Sequence, residues 1–242
     1  MLSKNELKYI QSLCQKKQRQ EERLFIVEGA KLVEELLLTQ YEVKGIYALA
    51  AWAEKHSHLP NLTVITEQEL ERISNLQTPN QVLALVVQPE QAPSPELENQ
   101  LTLVLDNIQD PGNLGTIIRI ADWFGIRQIV ASPDTVECYN PKVIQSTMGS
   151  FARVQVWYTP LPTFLQSVKL PVYGALLTGK NLFEETPLKE GLLVIGNESK
   201  GIAPELLQFI SHPVTIPRIG GAESLNAAVA TGIIVSHLTR VK

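Results

Sequence analysis

The 242-residue chain has little cysteine, no long apolar run, no excess of positive charge and no glycine-rich phosphate signature. Its two cysteines, Cys14 and Cys138, lie far apart and match no metal or redox spacing. A disulfide scaffold is thereby excluded, and a reduced, cytoplasmic protein with incidental thiols is expected. No run of about 18 apolar residues occurs, so no membrane span is expected. The opening MLSKNELKYI lacks the apolar core of a secretory signal. The four histidines (His56, His58, His212 and His237) form no recognisable ligand set, and no metal is expected. Neither half of the chain carries a GxGxxG or P-loop glycine pattern after its first strand, which argues against a dinucleotide-dependent oxidoreductase.

The formal net charge is −4, the opposite of a broadly basic nucleic-acid binder. Residues 1–98 carry 10 Lys/Arg against 14 Asp/Glu, and residues 99–242 carry 11 of each. Within the first part, Lys4, Lys8, Lys16, Lys17, Arg19, Arg23 and Lys31 make a locally basic start. On charge alone this reads as a solvated helix face; affinity for RNA would have to come from local patches.

What is present is a regular alternation of helix and strand patterns. Residues 88–100, QPEQAPSPELENQ, are rich in proline and glutamate, lack apolar periodicity and read as a linker. They separate a smaller domain, 1–98, from a larger one, 99–242. In the first, helices are expected over 7–14, 30–38, 51–55 and 67–73, with strands over 23–28, 44–49, 62–65 and 82–88. In the second, strands are expected over 101–106, 128–131, 154–157, 172–177, 192–195 and 214–216. Helices are expected over 114–124, 141–147, 163–168, 205–209 and 224–238. The run LTLVLD at 101–106 is nearly all apolar, as in a buried parallel strand. The fold class is therefore α/β with a mainly parallel sheet, whose ligands sit beyond the carboxyl ends of the strands.

Three motifs fall at such strand ends. DNIQDPGNLGTIIR, 106–119, places Asn113 as the expected helix N-cap and sets Gly115 and Arg119 four residues apart on one helix face. The plain alternative is a capped helix in which Arg119 pairs with Asp122. GNESKG, 196–201, puts a carboxylate and a lysine in a glycine-bounded turn, and an ordinary loop explains it equally well. IPRIGGAESLN, 216–226, leads into a helix rich in small residues that Ser224 or Glu223 would cap.

Taken together, Asn113/Gly115/Arg119, Gly196/Glu198/Gly201 and Ile216/Pro217/Gly220/Ser224/Leu225/Asn226 resemble the motifs of the SpoU (TrmH-like) family of RNA 2′-O-ribose methyltransferases. The match spans residues 101–238. Arg19 to Leu37, RQEERLFIVEGAKLVEELL, is similar to the ribosomal-protein-L30e-like substrate-binding domain that precedes many catalytic domains of the family. The resemblance implies a homodimer, a C-terminal trefoil knot and S-adenosyl-L-methionine as cofactor. It also implies a catalytic set of Arg119, Asn113, Glu198, Ser224 and Asn226. Gly196, Ile216 and Leu225 would hold the cofactor, with Leu177 and Thr178 at the end of the preceding strand. Arg218 stands where methionine is common in the family. An arginine stays protonated, so Arg119 is expected to bind phosphate and stabilise the developing alkoxide rather than act as a base.

The substrate implied is RNA. Ribosomal RNA is preferred because the leader domain suits a structured RNA loop and no basic tail follows the last helix. The alternatives are a tRNA methyltransferase and a non-catalytic RNA-binding assembly factor that keeps the fold.

Overall fold

The computed structural model describes residues 1–91 and 94–240. Ala92 and Pro93 of the expected linker, and Val241 and Lys242 at the end of the chain, lie outside the described residues. Two compact units are present: Met1–Gln91 with Tyr139–Ala152, and Ala92–Cys138 with Arg153–Lys242.

The first unit contains α1 (Lys4–Ser12), α2 (Lys16–Glu22), β1 (Leu24–Glu28), α3 (Ala30–Leu37), β2 (Val43–Ala48), α4 (Ala50–Lys55), β3 (Leu62–Val64), α5 (Glu67–Ile73) and β4 (Val82–Val87). Its sheet runs β1-β4-β2-β3, antiparallel except for the β2–β3 pair. Both faces are covered, so strand alternation sorts apolar side chains into two cores. Phe25, Val27, Val82, Ala84 and Val86 join Leu32, Val33, Leu36 and Trp52 on one face. Leu24, Ile26, Leu83 and Leu85 join Ile10, Leu13, Leu70 and Ile73 on the other. Burying each such side chain contributes about 1.5–3 kcal/mol.

Helix α2 has the sequence KKQRQEE, with no apolar residue to set a period, and the sequence reading passes over it. Its stabilising contact is polar. Arg19 is buried and donates from Nη1 to the carbonyls of Leu13 and Cys14 at 2.9 and 2.8 Å, where α1 ends. One member of the basic start is thus a structural cap and is withdrawn from solvent.

A segment beyond residue 98 completes this unit. Helix α7 (Pro141–Thr147) and the 3-10 turn at 150–152 bring Ile144 and Phe151 into the first core. Phe151 meets Phe25 edge-on at 5.8 Å, and Gln145 Nε2 donates to the Glu28 carbonyl at 2.8 Å. No sequence pattern separates this helix from those of the second unit.

The second unit contains β5 (Leu101–Leu105), α6 (Pro111–Trp123), β6 (Gln128–Ala131), β7 (Gln155–Tyr158), α8 (Leu161–Ser167), β8 (Val172–Asn181), β9 (Gly191–Ile195), α9 (Pro204–Leu207), β10 (His212–Thr215) and α10 (Ala227–Leu238). Its six strands are ordered β10-β8-β9-β5-β6-β7, and every pair is parallel. Val104, Val130, Val172, Leu192 and Val194 pack with Leu161, Leu165 and Leu206 of α8 and α9. Helices α6 and α10 pack on each other, with Ile120 closing on Gly232, where an added Cβ would meet it at 3.5 Å.

Strand β8 continues past the expected end at 177. Its pairing with β10 jumps from Gly174↔Pro213 to Lys180↔Val214, so residues 175–179 are left out of that ladder. Ala175 and Leu176 in the skipped stretch are half-buried, and the strand is exposed from Leu177 and polar from Thr178, so its apolar pattern ends at 177.

Candidate active site

All the motif residues lie in the second unit, most of them on segments that follow β5, β9 and β10, with Arg119 within α6 and Leu177 and Thr178 within β8. After β5, Asp106 ends the strand and Asn107 turns the chain with φ 56°. Helix α6 starts earlier than expected. Asp110 is its N-cap, accepting from the Asn113 N–H at 2.8 Å, and Pro111 occupies the first turn. Because Asp110 takes the capping role, the Asn113 side chain is not tied to the helix's own N–H groups and can meet other partners.

Those partners are the other two motifs. Asn113 Nδ2 donates to Glu198 Oε1 at 2.6 Å, and Asn113 Oδ1 accepts from Asn226 Nδ2 at 2.8 Å. Asn226, and neither Ser224 nor Glu223, caps α10: its Oδ1 accepts from the N–H groups of Ala228 and Val229 at 3.0 and 3.2 Å. The polarity of the chain is therefore determined. Backbone donors fix the Asn226 oxygen, which leaves its amide nitrogen to face Asn113, which in turn must present its own nitrogen to the Glu198 carboxylate. Glu198 Oε2 makes no hydrogen bond among the described residues.

The glycine-bounded turn has its own organiser, Asn197, which the sequence reading omitted. Its Oδ1 accepts from the N–H groups of Ser199 and Lys200 at 2.9 and 3.1 Å, and its Nδ2 donates to the Asn107 carbonyl at 2.8 Å. An asparagine two residues ahead of a turn is the available signal. Gly196 is needed for an internal reason as well. A Cβ there would lie 2.2 Å from the Gly201 carbonyl carbon and 2.3 Å from the Ile202 nitrogen.

Asp106 supports the same turn from below, accepting from the Ala203 N–H at 2.7 Å. Burial pushes its carboxyl above the usual aspartate range, helped by the nearby charges of Glu205 and Asp134 and opposed by the Ala203 bond. Behind it, Ser132 Oγ accepts from the Asn107 N–H at 2.8 Å, and Thr135 Oγ1 accepts from the Ile108 N–H at 3.2 Å.

Arg119 lies about 9 Å along α6 from Asn113, at 1.5 Å per residue. Its side chain is exposed and makes no hydrogen bond or ion pair among the described residues. The expected alternative pairing with Asp122 is not formed. Arg153 takes that carboxylate with Nε and Nη2, at 3.0 and 2.8 Å. Asn113 and Glu198 bind each other rather than the arginine.

The remaining motif residues surround this network without bonding to it. Ser224 and Leu225 are exposed on the 216–226 loop, Ile216 is half-buried at its start, and Leu177 and Thr178 are exposed in the stretch of β8 that β10 skips. Arg218 Nη1 donates to the Ala222 carbonyl at 3.2 Å and braces the loop across Gly220 and Gly221. Among the described residues, peptide groups 217–225 make no backbone–backbone hydrogen bond, and no three metal-ligating side chains gather.

An all-parallel sheet with a polar network at its carboxyl edge is the arrangement in which α/β proteins hold ligands. The chain belongs to the SpoU rRNA methylase family, whose model matches residues 100–236. Residues 4–84 match the MRM3-like substrate binding domain. The chain is 32% identical over 234 residues to the 23S rRNA (guanosine(2553)-2′-O)-methyltransferase RlmP of Bacillus subtilis, covering 92% of this chain and 91% of that one. Among solved structures, a TrmH-family protein from Porphyromonas gingivalis is similar at TM-score 0.89 and 38% identity, over 98% of both chains. An AdoMet-bound rRNA methyltransferase from Sinorhizobium meliloti is similar at TM-score 0.86 and 28% identity, over 98% of this chain and 96% of that one.

Proposed function

We propose that this protein transfers a methyl group from S-adenosylmethionine to a ribose 2′-hydroxyl of RNA, and that the RNA is ribosomal. The observation that carries this reading is the Asn226–Asn113–Glu198 chain at the carboxyl edge of the sheet, with Arg119 unpaired on the same helix. The B. subtilis relative named as a 23S rRNA methyltransferase matches the chain nearly end to end, leader included, which favours ribosomal over transfer RNA.

The residues present fit the cofactor. Leu177, Ile219 and Leu225 keep apolar surface exposed, and the peptide groups of 217–225 make no backbone–backbone hydrogen bond among the described residues. That combination suits an adenine ring read by main-chain groups. When bound, the cofactor supplies a methyl already activated as an electrophile. The chain's own task is alignment and charge stabilisation. Arg119, protonated, holds substrate phosphate and stabilises negative charge growing on the 2′ oxygen. Glu198, oriented by Asn113, offers Oε2 to the ribose hydroxyls. Ser224 adds a hydroxyl from the loop, and Asn226 holds the loop end in place.

In this reading residues 99–242, apart from the 139–152 segment that joins the first unit, form the methyltransferase domain, with the trefoil knot of the family at its C-terminal end. Residues 1–98 form an L30e-like RNA-binding domain. The active species is a cytoplasmic homodimer.

Purified protein, labelled cofactor and RNA from cells lacking the gene test the proposal. Label is expected on a 2′-O-methyl nucleotide of ribosomal RNA. Label confined to tRNA would overturn the substrate; absence of both cofactor binding and transfer would overturn the reaction.

A further inference from the structure

The three motifs are joined by bonds of fixed polarity, and this bears on how binding of one ligand affects the other. The loop 216–225 ends at Asn226. The Asn226 amide has two duties: its oxygen closes the first turn of α10, and its nitrogen donates to Asn113. Asn113 passes the constraint to Glu198, which sits on a different loop, 85 positions away in the chain. While these bonds stand neither asparagine can flip, because a flipped amide would set nitrogen against nitrogen or oxygen against oxygen, so the chain forms or breaks as a unit.

Resting on the function proposed above, we propose that Asn226 and Asn113 are positioning residues that couple the two ligands: cofactor seated on the 216–225 loop fixes Glu198 for RNA. The loop is the only one of the three motif segments whose peptide groups lack backbone partners among the described residues, so it has the most order to gain from a ligand. A cofactor that orders the loop favours the bonded state of Asn226, Asn113 and Glu198 over the broken one, and in that state Asn113 holds one Glu198 oxygen and leaves Oε2 for RNA. RNA that engages Glu198 then meets a site already arranged, and cofactor is bound more tightly in return, because coupling between two binding sites is reciprocal. Arg119 takes no part in the relay, since no bond connects it to any member.

The test measures binding of S-adenosylhomocysteine, which cannot transfer a methyl, with and without a saturating unmethylated 23S rRNA transcript. In the wild type, RNA is expected to tighten the nucleoside roughly 5–100-fold, with an equal effect of the nucleoside on RNA. Asn113→Asp keeps the acceptor for Asn226 but cannot donate to Glu198. The ratio of nucleoside affinities with and without RNA is expected to fall to about one, which reads the coupling whatever the affinity without RNA becomes. The double variant Asn113→Asp/Glu198→Gln reverses the donor and acceptor of that one bond. Coupling is expected to return, although turnover does not, because the carboxylate is gone. A purely structural asparagine would give no such rescue. Equal nucleoside affinity with and without RNA in a wild-type enzyme that still transfers methyl groups overturns the coupling and leaves the proposed function standing. Coupling retained in Asn113→Asp, or not restored in the double variant, also overturns it. A wild type that neither binds the nucleoside nor transfers a methyl overturns both proposals.

Discussion

Asp122 is held along one edge of the Arg153 guanidinium, at 3.0, 3.0 and 2.8 Å, and so is closed to Arg119 three positions back on the same helix. The pair separates two roles that the sequence leaves superimposed. If Arg119 is the catalytic cation, Arg119→Ala lowers turnover by about 10²–10³, the usual loss for one donor to a developing oxyanion, and leaves cofactor affinity nearly unchanged. Asp122→Ala costs less than about 1 kcal/mol, because Arg153 is half exposed and surface pairs are screened, and it leaves turnover alone. Single-turnover rates and thermal melts on the two variants give the comparison; a loss of turnover in Asp122→Ala counts against it.

Arg19 behaves as a core residue despite its place in a basic segment. Arg19→Met removes donors from the Leu13 and Cys14 carbonyls and is expected to cost about 2–3 kcal/mol, as for buried bonds to a charged group. Urea titration measures this, with RNA affinity of the remaining folded protein unchanged. Lys16 and Lys17 on the same helix are exposed, so their replacement leaves stability intact.

How much of this was legible in the sequence follows from what makes each signal. Apolar periodicity located β1, β4, β5 and β9 to within a residue or two, because burial on both faces forces long apolar runs. It was silent on α2, whose anchor is one arginine, and on the half of β8 that is exposed. The site was legible as residue types at spacings: Asn113, Glu198 and Asn226 do meet. Both helix starts were misplaced, because Asp, Asn, Ser and Glu near a helix entry are interchangeable candidates until the backbone chooses one. The choice of Asp110 is what frees Asn113. Asn197 was hidden because its contribution is a turn internal to one loop.

Asp106 makes the fold pH-sensitive in a definite direction. Its carboxyl is raised above the ordinary aspartate value of 3.8, so the folded state holds the proton more tightly than the unfolded one. Its contribution to stability therefore declines as pH rises from that value through the raised one, the reverse of a salt-bridged aspartate. Asp106→Asn keeps an acceptor for the Ala203 N–H and loses the buried charge. Denaturation between pH 4 and 8 is expected to show a flatter profile for the variant, with stability at neutral pH equal to or above that of the parent. An unchanged profile would refute the assignment.

Two glycine substitutions distinguish folding from binding at the proposed cofactor site. Gly196→Ala drives a methyl into the backbone of Gly201 and Ile202 and is expected to cost about 3 kcal/mol or more, visible as a lower melting temperature. Gly220→Ala meets no atom within 4 Å and leaves the melting temperature unchanged. Weaker cofactor binding by Gly220→Ala, measured calorimetrically, is the expected sign that the ligand approaches the loop backbone there.

The contribution of residues 139–152 to the first core has a consequence for biosynthesis. Chains leave the ribosome from the N-terminus at about 5–20 residues per second. Phe25 and its sheet are thus complete in sequence some seconds before Ile144 and Phe151 exist to cover them. Order of synthesis and order of maturation diverge: the first unit is finished only after β5, α6 and β6 of the second have been translated. A nascent chain halted in the linker carries an open apolar face, the kind of surface that chaperones bind. A gene fragment ending there inherits the same exposed face, which supplying residues 139–152 would close.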